Sequence, residues 1–270
     1  MHAIINAAQL SKLPENTLLI DAGSGAAAFE RYNKQHLKSA LYVDLETDLA
    51  NVPEDASNGG RHPLPTIQNF AELLGKLGIA PESHVIVYDD KQGSNAAARF
   101  WWMLRAAGHS KVQVLYGGLQ AAVAAGVEVT DDVSIAMPTG DYPFTHWQLP
   151  TIEIDAVKGA TQNTDWLIID VRASERYNGH TEPIDRKAGH IPSAINIPLT
   201  ENLDADGNFL PVKSLHQKYS AALSGYDPEK IIVHCGSGVT ACHTLLAITA
   251  AGLPIPKLYV GSWSEWSRNY

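Results

Sequence analysis

An internal repeat is the feature of this 270-residue sequence that most constrains its fold. Four short blocks of the first half recur in the same order in the second half, with spacings that change by only a few residues. The first copy comprises residues 18–21, 36–43, 84–89 and 114–118, and the second comprises residues 167–170, 190–197, 230–235 and 257–261. Four ordered matches indicate two homologous domains of about 130 residues, each long enough to bury its own core.

A domain boundary is expected between the two copies, because proline and glycine interrupt regular structure at residues 137–143. We therefore expect a first domain over residues 1–138, a linker over 139–150 and a second domain over 151–270. In each copy, short apolar runs rich in β-branched residues alternate with helical patterns such as residues 70–77. This alternation predicts an α/β fold in which helices flank a mostly parallel sheet.

The charge of the chain narrows the classes of function. Twenty Lys and Arg residues face 29 Asp and Glu residues, giving a net charge of −9, and no basic run offsets it. This balance argues against binding to nucleic acid or to an anionic membrane surface. No stretch approaches the roughly 18 apolar residues of a membrane helix, and no secretory signal is visible. We therefore expect a cytoplasmic protein.

The two cysteines, Cys235 and Cys242, do not suggest a disulfide framework. In a helix their spacing would separate them by about 10.5 Å, which is beyond the reach of a disulfide. Each thiol must therefore be considered alone.

Cys235 lies where a strand is expected to turn into a helix. Residues 231–234 have the pattern of a buried strand, residues 240–248 have that of a helix, and Gly236 and Gly238 lie between them. A thiol at the carboxyl end of a parallel strand faces backbone N–H groups and the positive end of the next helix, which favour the thiolate. We therefore expect Cys235 to be a nucleophile; the alternative is a buried cysteine that only packs in the core.

The first copy of the repeat lacks this nucleophile, because its corresponding strand ends in Asp89 and no cysteine follows. One active site per chain is therefore expected, in the second domain. A phosphatase of similar geometry would need an arginine six positions after the cysteine to hold phosphate, and Ala241 occupies that position.

The sequence CGSGVTA at residues 235–241 resembles the active loop of the tandem rhodanese-domain sulfurtransferases, in particular the 3-mercaptopyruvate sulfurtransferase branch. Three further features resemble sequence patterns typical of this family: the repeat itself, GHIPSAINIP at residues 189–198 and GSWSEW at residues 261–266. The resemblance implies two tandem rhodanese-like domains, of which the second carries a persulfide on Cys235 during the reaction. It implies no metal and no organic cofactor.

The resemblance also implies that backbone N–H groups of the loop stabilise the sulfur anions; these belong to Gly236, Gly238, Val239 and Thr240. Thiosulfate sulfurtransferases of the family usually carry basic residues directly after the cysteine, whereas this loop is neutral. Desolvating the thiosulfate dianion costs several kcal/mol, whereas the interaction of an anion with the positive end of a helix contributes only about 0.3–2 kcal/mol. A neutral loop therefore favours a monoanionic donor.

These features predict an enzyme that moves sulfur from 3-mercaptopyruvate through a Cys235 persulfide to a thiophilic acceptor and releases pyruvate. The expected acceptors are cyanide, a small thiol or thioredoxin. Two alternatives stay open: a thiosulfate:cyanide sulfurtransferase, and a non-catalytic rhodanese-type binding module.

By the same resemblance, Arg176 and Arg186 bind the carboxylate of the substrate, since a guanidinium can bind a carboxylate through two hydrogen bonds. The alternative for both is an ion pair with a neighbouring acidic residue. Ser237, His62 and Asp44 match a proposed proton relay of the mercaptopyruvate branch, in which the histidine and the aspartate come from the first domain. The alternative for His62 is an ordinary capping or surface role.

Overall fold

A computed structural model describes residues 2–10, 12–14 and 16–270. The contacts of the chain divide it into two compact units: a first unit of Met1–Asn51 and Leu64–Gln148, and a second unit of Val52–Pro63 and Leu149–Tyr270. Residues 52–63 therefore pack with the second unit, although they lie within the expected first domain. The linear division at residues 139–150 stays a prediction.

The first unit is built on a parallel sheet. In chain order, its elements are β1 (Ile4–Ile5), α1 (Ala7–Leu10), β2 (Leu18–Gly23), α2 (Ala28–Lys34), β3 (His36–Leu37), β4 (Leu41–Asp44), α3 (Ile67–Lys76), β5 (Val85–Tyr88), α4 (Ala96–Ala106), β6 (Val112–Leu115), α5 (Gly118–Ala124) and β7 (Val129–Thr130). Five strands form the parallel sheet in the order β1-β6-β5-β2-β4, and β3 pairs antiparallel with β7.

The second unit contains a smaller parallel sheet. Its elements are α6 (Ile154–Ala160), β8 (Leu167–Asp170), α7 (Ser174–Tyr177), β9 (Ile195–Asn196), a 3₁₀ turn (Leu199–Asn202), α8 (Val212–Ala222), a second 3₁₀ turn (Pro228–Lys230), β10 (Ile231–His234), α9 (Ala241–Ala250), β11 (Lys257–Leu258) and α10 (Ser262–Asn269). Four strands lie in the order β11-β10-β8-β9.

The repeated sequence blocks correspond to matching strands. The order β6-β5-β2-β4 of the first unit is the order β11-β10-β8-β9 of the second. Both β5 and β10 are buried at every position, as expected of a central strand covered on both faces. The prediction of an α/β fold with mostly parallel sheets and flanking helices is confirmed.

Local signals explain several helix boundaries. The Thr66 side chain accepts a hydrogen bond from the backbone N–H of Asn69, which caps α3. Shortly after α4 and α9, Gly108 and Gly252 adopt φ values of 89° and 76°, which only glycine adopts without strain. In each unit, this glycine follows the helix that comes directly after the central strand, β5 or β10.

Over the described residues, no helix is both long and apolar enough to cross a membrane.

Candidate active site

Cys235 lies at the carboxyl end of β10, the strand that pairs on one side with β11 and on the other with β8. The residues between β10 and α9 form a loop, residues 235–240, which we call the Cys235 loop. Cys235 is a free thiol and is only 1% exposed. In parallel α/β sheets this edge, where strands end and helices begin, is where ligands bind.

The start of α10 holds the Cys235 loop in place through three hydrogen bonds. The backbone N–H of Cys235 donates to Oγ of Ser262 over 3.2 Å. The N–H of Trp263 donates to the carbonyl of Cys235 over 3.1 Å, and the N–H of Ser264 donates to the carbonyl of Gly236 over 2.8 Å. Ser262 adopts a left-handed φ of 53°, a costly conformation for a serine. The GSWSEW motif therefore supports the backbone around the candidate nucleophile.

Gly238 is required by the path of the loop. Its φ is 74°, and a Cβ added there would overlap the carbonyl oxygen of Val260 and lie 3.0 Å from its Cα. Only glycine satisfies both the left-handed backbone and the close approach.

Ser237 and His62 are brought together. The Ser237 hydroxyl and Nδ1 of His62 lie 2.7 Å apart, and both side chains are buried. When Nδ1 carries no proton, the hydroxyl donates to it, which is the geometry a proton relay needs. His62 lies in the segment 52–63, which we call the inserted segment.

Hydrogen bonds within the second unit fix the inserted segment on α10. The N–H of Gly59 donates to Oε1 of Glu265 over 2.7 Å, and the N–H of Arg61 donates to Oγ of Ser264 over 3.1 Å. The Asn269 side chain donates to the carbonyl of Ser57 over 2.7 Å. The position of His62 therefore depends on the same helix that supports the Cys235 loop.

Arg176 lies beside the loop. A Cβ added to Gly236 would lie 3.6 Å from Nη1 and 3.7 Å from Nη2 of Arg176. Arg176 also forms the ion pairs of the alternative interpretation, since its Nη2 donates to Glu182 over 2.6 Å and to Asp185 over 3.2 Å. Burial alone would raise the pKa of Glu182, but hydrogen bonds from Arg176 and from two backbone N–H groups hold that pKa below its usual value. These pairs orient the guanidinium next to the loop.

Arg61 is a second guanidinium at the same place, which sequence analysis did not identify. Its Nη2 would lie 3.1 Å from a Cβ on Gly236, and its Nε donates to Oδ1 of Asp185 over 3.0 Å. Asp185 therefore lies between Arg61 and Arg176 and binds both. The signal in the sequence was weak, since only its position directly before His62 connects Arg61 with the site.

For two predicted site residues, Arg186 and Asp44, the structure shows surroundings other than the Cys235 loop. The Arg186 side chain is exposed, and its charge helps to lower the pKa of Asp55, after the hydrogen bonds from Ser57. Asp44 ends β4 in the first unit, where its carboxylate accepts hydrogen bonds from the Tyr42 hydroxyl and from the N–H of Glu46. The roles of both residues stay predictions.

Buried charges support the strands beneath the site. Arg172 donates to Asp170 through Nε and Nη2, to Glu182 through Nη1 over 3.2 Å and to the Gly189 carbonyl over 2.7 Å. Burial lowers the pKa of His234, which precedes the candidate nucleophile, so this imidazole is neutral at pH 7. We assign Arg172 to the support of the fold.

In the corresponding loop of the first unit, backbone N–H groups surround a side-chain carboxyl group. There, Asp89 replaces the cysteine, and its buried carboxylate accepts hydrogen bonds from four backbone N–H groups at 2.6–3.2 Å; these belong to Lys91, Gly93, Asn95 and Ala97. Burial raises the pKa of Asp89, and the four N–H groups counter part of that rise because they stabilise the carboxylate.

Comparisons with known proteins agree with this geometry. A family model described as Rhodanese-like domain matches residues 6–125 and again residues 153–269. A Pseudomonas aeruginosa protein named "Probable 3-mercaptopyruvate sulfurtransferase" is 42% identical over 236 residues, which are 87% of this chain and 82% of that protein. A Mycobacterium tuberculosis relative whose name includes thiosulfate sulfurtransferase is 35% identical over 256 residues, or 93% of this chain and 85% of its own.

A solved structure of 3-mercaptopyruvate sulfurtransferase from Leishmania major is similar over the whole chain. The TM-score is 0.87 at 28% sequence identity, covering 100% of this chain and 75% of that one.

Proposed function

Because the chain belongs to the rhodanese family, with one rhodanese-like match in each half, we propose that it is a sulfurtransferase that takes sulfur from 3-mercaptopyruvate. The observation that carries the proposal is the Cys235 loop: a thiol at the end of a central parallel strand, with the Ser237–His62 pair two residues away. Relatives with this activity in their names support the choice of donor.

In the first half-reaction, the Cys235 thiolate attacks the sulfur of mercaptopyruvate. A sulfur–sulfur bond forms, the carbon–sulfur bond of the donor breaks, and its electron pair passes to the enolate of pyruvate. Protonation of the enolate gives pyruvate, and Cys235 is left as a persulfide. Backbone N–H groups of Gly236 through Thr240 stabilise the sulfur anions, as the four N–H groups around Asp89 do for a carboxylate in the first unit.

Ser237 delivers the proton to the leaving enolate, and its hydroxyl regains a proton from His62 in the protonated form, which solvent supplies with that proton. The assignment of Asp44 to this relay rests on the resemblance alone. Arg176 and Arg61 bind the substrate carboxylate, because both guanidinium groups lie next to Gly236. The assignment of Arg186 to the same task rests on the resemblance alone.

In the second half-reaction, a thiophilic acceptor attacks the outer sulfur and regenerates the thiolate, which makes the cycle ping-pong. Cyanide, a small thiol or reduced thioredoxin can serve as the acceptor. The expected location is the cytoplasm.

A thiosulfate:cyanide sulfurtransferase is the second candidate, and the observation that favours it is the pair of cations beside the neutral loop. A non-catalytic binding module would use the same cleft without turnover.

Initial rates with mercaptopyruvate and with thiosulfate, measured with one acceptor, distinguish the three functions. We expect a higher kcat/KM for mercaptopyruvate, which Cys235→Ser abolishes. A preference for thiosulfate would contradict the choice of donor but keep the nucleophile. No Cys235-dependent turnover with either donor would support the binding module.

A further inference from the structure

We propose that Asp185 determines which sulfur donor the enzyme accepts, by setting the net charge beside the Cys235 loop to match a monoanion. This inference rests on the proposed function, because it concerns the choice between two donors at that site. Asp185 is a positioning residue here: it acts on the substrate through the two arginines that it holds.

Asp185 lies behind the two arginines of the site. Its side chain has no solvent exposure, and its two oxygens bind both guanidinium groups that lie beside Gly236. Oδ1 accepts from Nε of Arg61 over 3.0 Å, and Oδ2 accepts from Nη2 of Arg176 over 3.2 Å. A third guanidinium, that of Arg268, lies 3.7 Å from Oδ1. One buried carboxylate therefore touches three cations.

Asp185 belongs to a connected network of charged side chains with a net positive charge. Ion pairs shorter than 4 Å join four guanidinium groups to three carboxylates; these are Arg61, Arg172, Arg176 and Arg268, and Asp170, Glu182 and Asp185. The network therefore carries one more positive than negative charge. A substrate with a single carboxylate neutralises that excess, whereas a dianion exceeds it.

Arg61 and Arg176 are accessible to a bound substrate. The side chains of Arg61 and Arg176 are 26% and 19% exposed, so both groups can reach a bound anion. Each guanidinium has five N–H donors, more than Asp185 engages, so a substrate oxygen can bind without displacing Asp185. Asp185 therefore stays in place when substrate binds and contributes its negative charge to every bound donor.

The consequence is a specificity rule that the neutral loop alone does not explain. Without Asp185, the excess would be two positive charges, which match the thiosulfate dianion. With Asp185 in place, no positive charge remains to pair with the second negative charge of thiosulfate. The cost of desolvating that charge is therefore not offset, and thiosulfate binds less well. The Cys235 thiolate is common to both donors and does not alter the comparison.

Two variants that change this charge in opposite directions test the proposal. Asp185→Asn removes one negative charge and keeps a hydrogen-bond acceptor, and Arg268→Gln removes one positive charge. We expect the kcat/KM for thiosulfate relative to mercaptopyruvate to rise roughly tenfold in Asp185→Asn and to fall in Arg268→Gln. Asp165→Asn, an exposed aspartate paired with Lys230, is the matched control and leaves the ratio unchanged.

A second readout needs no turnover and so separates this proposal from the proposed function. Iodoacetate is a monoanion and iodoacetamide is neutral, and both alkylate Cys235. The rate with iodoacetate relative to iodoacetamide rises in Asp185→Asn and falls in Arg268→Gln.

Damage to the fold would move both variants in the same direction, and that outcome, or unchanged ratios, overturns the proposal. Should thermal melting show that Asp185→Asn does not fold, Arg268→Gln decides alone, because a ratio that does not fall overturns the proposal. The wild type could lack turnover while the ratio of the two alkylation rates still rises in Asp185→Asn and falls in Arg268→Gln. That result would reject the proposed function but support the effect of Asp185 on the charge of the site.

Discussion

Replacing His243 by leucine should make the protein less sensitive to acid. His243 lies on α9 within the core of the second unit, where its ring stacks on Phe209 with centroids 4.6 Å apart. Burial, helped by the charge of Lys218, lowers the pKa of His243 from 6.5 to about 3. The folded protein therefore keeps this imidazole neutral from pH 7 to pH 5, while the unfolded chain binds a proton in that range.

The sign and size of the effect follow from proton linkage. A base with a lowered pKa in the folded state contributes stability that is present above pH 6.5 and is lost as pH falls. Between pH 7 and pH 5, unfolded His243 becomes almost fully protonated, so the free energy of unfolding drops by about 2 kcal/mol through this residue. In His243→Leu this contribution is absent.

Urea titrations of wild type and His243→Leu at both pH values give the measurement. Between pH 7 and pH 5, we expect the free energy of unfolding of the wild type to fall by about 2 kcal/mol more than that of His243→Leu. Ile248→Val, a core change on the same helix, is the control and lowers the free energy of unfolding by about 1 kcal/mol at both values. A difference between wild type and His243→Leu that is the same at both pH values would refute the reasoning.

Three further predictions concern the site. Ser237→Ala should lower kcat with mercaptopyruvate by roughly 100- to 10,000-fold while alkylation of the thiol by iodoacetamide persists; an unchanged kcat would exclude the hydroxyl from proton transfer. Gly238→Ala should lower the free energy of unfolding, measured by urea denaturation, more than Gly225→Ala does. Gly225 has a similar φ but open space around it, so Gly225→Ala should lower this free energy by only about 1–2 kcal/mol. Equal losses would mean that the structure relieves the overlap at Gly238. Arg61→Ala should raise KM for mercaptopyruvate by roughly 10- to 100-fold, more than Arg186→Ala does, and the reverse order would favour the assignment from resemblance.

The fold was accessible from sequence because burial has a local signature. A central strand of a parallel sheet is covered on both faces, so residues 85–88 and 231–234 are apolar throughout and recur in the repeat. The position of Cys235 follows from the same pattern, because the residue after such a strand lies at the carboxyl edge of the sheet. Two glycines in the next three residues marked the turn.

The cation pair beside Gly236 had no such signature. Arg61 and Asp185 are 124 residues apart in the chain, and no periodicity relates them. Arg186 directly follows Asp185 yet exposes its side chain, so proximity in sequence did not predict which arginine lies beside the loop. Side-chain direction in an irregular segment depends on the backbone path, which tertiary contacts determine.

The sequence by itself determined the α/β class, the two rhodanese-like halves and the place of Cys235 at the end of a strand in the second half, because each depends on residues close together in the chain. Tertiary structure alone decided that the inserted segment, residues 52–63, joins the second unit. Its hydrogen bonds to α10, such as that of Gly59 to Glu265 across 206 residues, bring Arg61 and His62 to the Cys235 loop. Such contacts form only after both partners have been placed by their own surroundings, so the pattern of either segment alone does not encode them.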